Sequence, residues 1–299
     1  MSDTDNKDLP PAAQRALAEA EVRDIFVPAD LPKMRAALES GAANADKPAE
    51  FLLGDYTLRP SIETSLHAVF PQRVVIHVHC IHTIAHAVRA DGEVLLAPKL
   101  AEFDWRYIPY RKPGANLANA VRAALGPDTD VVILANHGLI VAANTVAEAD
   151  ALLAKTIAAL TLSPAQSHAP DLAALNDAAP SHYQTPPQGN VIHQLAFGAG
   201  RIQQATRGSL YPDHVIFCGV GVLACDGPPE GDSPPFVLIP GKGAAMRKDA
   251  SAGAWALAQC LGDVLMRVPV QAELNYLTLQ QNGELLDWDA EKYRRALKC

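Results

Sequence analysis

The chain has 299 residues, room for two domains or one large one at roughly 150 residues each. Apolar residues make up 49% of it and charged residues 19%, a globular balance, and no apolar run reaches the roughly 18 residues that a membrane span needs. With 25 Lys and Arg against 33 Asp and Glu, the net charge of -8 excludes a broadly basic surface for nucleic acid or anionic lipid and leaves small molecules as the expected partners.

In chain order, MSDTDNKDLPPAAQ is polar and acidic where a secretory leader would be basic and then apolar, so a cytoplasmic location is expected. Residues 1 to about 20 read as a frayed arm running into an Ala-rich helix. PADLPKMRAALESG reads as a loop, a short helix from Pro32 and a glycine stop at Gly41. From Pro60 to Leu160 helical and strand patterns alternate: SIETSLHAVF, RVVIHVHC, TIAHAVRAD, WRYIPYRKPG, NLANAVRAAL, the hairpin DVVILANHGLIVAAN, and TVAEADALLAKTIAAL. That alternation is an α/β signature. Thr145 followed by Glu148 has capping-box spacing, which fixes the start of the last of these helices.

Five prolines between Ser163 and Asn190 disfavour regular structure, so a linker is expected over 163–190, between a domain of residues 1–162 and a smaller α+β region over 191–299. In that region HVIFCGVGVLAC and PPFVLIPG are strand-like, and SAGAWALAQCLGDVLMRV and DWDAEKYRRALK are helical. PGKGAAMRKD can bind an anion through Lys242, Arg247 and Lys248, but it lacks the phosphate-loop spacing and reads more simply as a strand-to-helix turn. No internal repeat is visible. The five cysteines are odd in number and form no CxxC pair, so reduced thiols are expected.

Ten histidines are the chemically pointed feature. On a strand, His77 and His79 of RVVIHVHC face one side, roughly 7 Å apart along the backbone, close enough to converge on one cation. A lone histidine in an apolar strand is more often a hydrogen-bonded core residue. A pair of them is harder to explain that way, with a carboxylate upstream and an exposed His137–Gly138 strand end downstream. The carboxylate is Glu63, on a short helix that packs Ile62, Leu66, Val69 and Phe70 inward, with Ser61 as cap, Pro71 as stop and His67 on the same face as Glu63. Burial there is expected to raise the Glu63 pKa toward neutrality, as a base requires. His82 and His86, at i and i+4 on the next helix, form a weaker rival pair with no carboxylate nearby.

PSIETSLH, VVIHVHCIH, PYRKPG and NHGLI together resemble the class II aldolase/adducin family over about Arg59 to Leu160. The resemblance implies a three-layer α/β/α domain with a mostly antiparallel central sheet. It implies His77, His79 and His137 as ligands of Zn²⁺ or another divalent transition metal. Glu63 would be a fourth ligand and the acid/base when substrate displaces it, with Ser61 and Tyr110 as substrate-binding side chains. The implied reaction is lyase chemistry in carbohydrate metabolism: C–C cleavage of a small hydroxyketone, sugar phosphate or hydroxy acid through a metal-stabilised enediolate.

The chain departs from the family in two places. Ile62 stands where many phosphate-using members have a second serine, and nothing before Arg59 resembles the Gly-Asn turn that cradles phosphate. The chain thus looks N-terminally shortened, leaving a sheet edge unpaired unless a partner chain or the C-terminal region covers it, with a homo-oligomer the natural remedy. Two other readings stay open: a non-catalytic adducin-like assembly or regulatory module that keeps the metal, and a metal-dependent epimerase.

Overall fold

The computed structural model describes residues 26–56, 59–225 and 234–286; the expected N-terminal arm and the expected helix over DWDAEKYRRALK lie outside them. Two compact units divide the chain. The first takes the described part of Ala13–Cys80 with Leu96–Leu160, and the second takes Ile81–Leu95 with the described part of Thr161–Cys299.

In the first unit, α1 (Leu31–Ser40) starts where the Asp30 side chain accepts from the Lys33 N–H at 3.0 Å and stops at Gly41, whose φ of 66° suits glycine. α2 (Thr64–Ala68) leads into β1 (Val74–Val78). β2 (Trp105–Ile108), α5 (Ala115–Ala124), β3 (Val131–Leu134), β4 (Gly138–Ala143) and α6 (Val146–Leu160) follow, after α3 (Ile81–Ala87) and α4 (Gly92–Leu96). The sheet order is β1-β4-β3-β2, antiparallel except for the parallel β2–β3 pair.

β3 is buried at every position, which is why VVIL is a continuous apolar run rather than an alternating one. Val132, Leu134, Ile140 and Ala142 pack with Leu66 and Phe70 of the α2 segment and Leu117 and Val121 of α5. The alternate residues face the other way, where α6 lies against β4 and β1. The expected three-layer α/β/α arrangement around a mostly antiparallel sheet is therefore present. The capping box of α6 is reciprocal: Glu148 N–H donates to Thr145 Oγ1 at 3.2 Å and Thr145 N–H to Glu148 Oε2 at 3.0 Å. Among the described residues β1 pairs only with β4 and β2 only with β3, so these two are the edge strands of the sheet.

The second unit is mixed α/β. It holds α7 (Leu172–Ala178), β5 (Tyr183–Gln184), α8 (Ala199–Thr206), α9 (Pro212–Cys218), β6 (Leu223–Ala224), β7 (Phe236–Ile239), β8 (Gly243–Arg247), α10 (Ala252–Arg267) and α11 (Leu279–Leu286). Its sheet order is β5-β8-β7-β6. Its core joins Ala258, Leu261, Val264 and Leu265 of α10 to Ile84 and Val88, beside Tyr211, Phe236 and Leu238.

Four readings of the sequence change here. Residues 163–190 are not free of regular structure: α7 is capped by Asp171, whose side chain accepts from Ala174 N–H, and β5 pairs with β8. The segment after His79 leaves the first unit, because α3 is buried on every side within the second unit's core. HVIFC is helical, with Pro212 and Asp213 in its first turn and Gly219, at φ 87°, at its end; a helix buried nearly all round shows the unbroken apolar run of a buried strand. PGKG joins two strands rather than a strand and a helix, with Ile239 paired to Gly243. Among the described residues no helix is long and apolar enough to cross a membrane.

Candidate metal centre

The β1–β4 register sets His77 opposite Ile140 and Val75 opposite Ala142. Opposed residues share a face, and Ile140 and Ala142 face α2, so His77 points toward the helix that Glu63 caps. His79 follows one strand repeat later. His137 comes from the loop 135–137 between β3 and β4, where Asn136 adopts a left-handed φ of 56°, a conformation asparagine tolerates better than most residues.

These elements bring four side chains together. Glu63 Oε1 lies 3.0 Å from His137 Nε2 and 3.3 Å from His77 Nε2. His77 Nε2 lies 3.1 Å from His79 Nε2. The ring centroids of the three histidines stand 5.0, 5.0 and 4.8 Å apart with steeply inclined planes, so their edges converge on one point. All four ligand atoms lie within 4.8 Å of one another, the one such grouping of potential ligands among the described residues. His77 and His137 side chains are 4% exposed while Glu63 is 21% exposed and His79 is half-buried, so Glu63 lies nearer solvent than the His77 and His137 rings.

The donor set fits a divalent transition metal. Imidazole nitrogens sit about 2.0–2.1 Å from zinc, which places ligand atoms of a tetrahedral site about 3.3 Å from one another. Three of the separations, 3.0 to 3.3 Å, match that spacing, and all lie within 4.8 Å. His77 Nδ1–H donates to the Leu139 carbonyl at 3.0 Å, which fixes the ring with Nε2 facing the other three groups.

Burial alone would raise the pKa of Glu63. The charge of His77, with hydrogen bonds from His137 and His77, outweighs it and holds the carboxyl well below its ordinary value. This corrects the expectation of a raised pKa: the apolar helix face supplies burial, but the imidazoles supply more. For His137 burial dominates, and its pKa falls to about 4. It is neutral near pH 7, the form that binds metal.

Other expected residues lie elsewhere. Ser61 Oγ accepts from the Glu63 N–H at 3.2 Å, so it orients the helix start beneath the carboxylate. Tyr110, two residues beyond β2, and His67 are not among the four converging groups. His82 Nδ1 accepts the Leu162 N–H at 3.1 Å in the second unit and joins no ligand group. Sequence reasoning missed the Leu139 carbonyl and the packing role of Gly138. A Cβ there would meet Val78 O at 2.6 Å, His79 Cδ2 at 3.1 Å and His77 Cε1 at 3.2 Å. The glycine after His137 was the visible signal.

Residues 27–161 match the family described as Class II Aldolase and Adducin N-terminal domain. A curated relative, the uncharacterized oxidoreductase YuxG of Bacillus subtilis (strain 168), is 33% identical over 84 residues, 27% of this chain and 12% of that protein. The N-terminal class II aldolase domain of a conserved Thermoplasma acidophilum protein aligns at 24% identity and TM-score 0.41, over 45% of this chain and 64% of that one. An aldolase II superfamily protein from Pseudomonas syringae aligns at 23% identity and TM-score 0.32, over 37% and 48%. This chain thus spans about an eighth of the curated relative and under two thirds of either solved chain.

Proposed function

Since the chain belongs to the class II aldolase/adducin family through residues 27–161, we propose that it is a metal-dependent lyase cleaving a C–C bond in a small hydroxyketone, sugar phosphate or hydroxy acid. The observation that carries the reading is the convergence of Glu63, His77, His79 and His137 within 4.8 Å. Three imidazoles and a carboxylate suit zinc, and these four residues would hold it. When bound, a divalent cation draws negative charge onto the substrate oxygens as the C–C bond breaks.

The chain's own residues supply the rest. Glu63, 21% exposed against 4% for His77 and His137, is the carboxylate within reach of an entering substrate, and its Oε1 would accept and return the proton. With His77 and His137 at 3.3 and 3.0 Å, the metal-free carboxylate is held ionised but weakly basic, and losing those hydrogen bonds as the imidazoles engage a cation would strengthen it as a base. Buried rings behind it exclude water from the reacting side.

Metal analysis of the purified chain tests the reading, beside a His79→Ala variant and a panel of phosphorylated and unphosphorylated hydroxyketones and hydroxy acids. Stoichiometric zinc in the wild type, its loss in His79→Ala and fragmentation of a panel member are expected. A wild type that takes up no Zn²⁺ removes the proposal. Metal-loaded protein inert on the whole panel favours the assembly module instead, and exchange of substrate α-hydrogen with solvent deuterium without fragmentation favours the epimerase.

A further inference from the structure

The two sheets follow one plan. In each, the first strand pairs antiparallel with the fourth, the fourth antiparallel with the third, and the third parallel with the second: β1-β4-β3-β2 and β5-β8-β7-β6. In each, strands three and four form a hairpin and a long helix follows, Val146–Leu160 in one unit and Ala252–Arg267 in the other. Both helices open on a hydroxyl cap, Thr145 Oγ1 receiving the Glu148 N–H and Ser251 Oγ the Ala254 N–H. A short helix with an acidic residue at its N-cap position precedes the first strand in each: Glu63, whose side chain makes no cap hydrogen bond, before α2, and Asp171, whose side chain accepts from Ala174 N–H, before α7.

The hairpins agree residue by residue. Leu134 pairs with Gly138 and Ile239 with Gly243, closing the loops 135–137 and 240–242. The middle residue of each loop is left-handed, Asn136 at φ 56° and Gly241 at φ 73°. His137 therefore corresponds to Lys242 and Gly138 to Gly243. In the first strands Val75 pairs with Ala142 and Tyr183 with Arg247, so His77 corresponds to Thr185, Val78 to Pro186 and His79 to Pro187. None of the three histidine ligands has a metal-binding counterpart.

A histidine from elsewhere in the chain stands at that place. In the first unit the ladder runs on to Val78 opposite Leu139. In the second it stops at Gln184, because Pro186 and Pro187 have no N–H to contribute. The His193 ring is inserted across the gap. Its Nδ1 accepts the Ala244 N–H at 3.1 Å, and its Nε2–H donates to the Pro186 and Pro187 carbonyls at 3.2 Å each. Gly138 lies against the His77 and His79 rings, and Gly243 lies against His193, whose Nδ1 would be 2.7 Å from an added Cβ.

We propose that the described part of residues 171–267 repeats the sheet plan of residues 63–80 and 96–160, that its counterpart of the metal centre is closed by His193, and that the chain therefore carries one metal ion. The proposal assigns the C-terminal unit no catalytic centre of its own. It stands on topology, register and hydrogen bonds, so it survives even if the lyase reading fails.

Zinc titration of the intact chain, with an anomalous-scattering crystal structure of the zinc-loaded protein, tests it. One ion per chain is expected, at Glu63 and the three histidines. Superposing hairpin 236–248 on 131–143 should lay the His193 ring over the His77 and His79 rings. A second ion in the C-terminal unit, or hairpins whose strands do not superpose, would overturn the proposal. In solution His193→Ala, or His193→Gln if the first does not fold, should lower Tm while zinc stays at one per chain. Loss of zinc in the soluble His193→Gln protein would count equally against it.

Discussion

Gly138 carries no functional group, yet the candidate metal centre is built around it. An alanine Cβ would stand 2.6 Å from a backbone oxygen, Val78 O, which cannot rotate away, and about as close as contact allows to the His77 and His79 rings. Gly138→Ala is therefore expected to push β4 from β1 at the point where His77 and His79 are presented. Loss of supporting contacts around a metal site typically weakens binding about 10- to 100-fold, and chelator competition with Zn²⁺ would measure it. Zinc affinity equal to wild type would show that the strands yield without disturbing the rings. The strand period made His77 and His79 legible as a pair, because side chains on one face need only the sequence spacing. Glu63 and His137 stood out as candidate partners from their own local patterns, but their role as ligands came from the resemblance, since no local rule specifies which loop reaches which strand. The Leu139 carbonyl that orients His77 could not be foreseen, because backbone acceptors carry no residue signature.

Elements with local punctuation were the legible ones. The Thr145–Glu148 box is formed in both directions, and Thr145→Ala should cost about 1 kcal/mol by leaving a first-turn N–H without its acceptor. The change would appear as a lower urea midpoint with unchanged slope, and an unchanged midpoint would mean that tertiary packing of α6 alone fixes its start. Where burial surrounds an element, the pattern loses its period. PDHVIFC and IHTIAHA are buried nearly all round, so neither periodicity nor length separated strand from helix in the first case or revealed in the second that the helix packs in the other unit. β8 was missed for a related reason: GAAMR has small residues at buried positions, which lack the branched character that marks strands. The repeat of topology was invisible because identity has drained from it. Across 131–143 and 236–248 the identical pairs are Val132 with Val237 and Gly138 with Gly243, and the second is where space, not chemistry, fixes the residue.

At the scale of the whole molecule, composition correctly described a folded chain with no spanning helix among the described residues, and its acid sensitivity follows from histidines that composition cannot place. His214 is 1% exposed, with its Nε2–H donating to the Gly221 carbonyl at 3.3 Å and its Nδ1 without a partner among the described residues. Burial pushes its pKa down to about 4, whereas an unfolded chain leaves a histidine near about 6.5. Between those values the unfolded state binds the proton and the folded state does not. Stability is therefore full above about pH 7, falls as pH drops through 6.5, and stops falling below about 4, where both states are protonated. The total is about 3 kcal/mol, a large share of the 5–15 kcal/mol or so typical of a domain. His214→Gln keeps a donor for Gly221 O and removes the titration, so its urea midpoint should vary less between pH 7 and 4.5 than that of the wild type. The comparison belongs in metal-free protein, where His137 contributes equally to both chains and cancels. Parallel pH curves for the two proteins would mean that water reaches the His214 ring and that its burial is not what keeps it neutral.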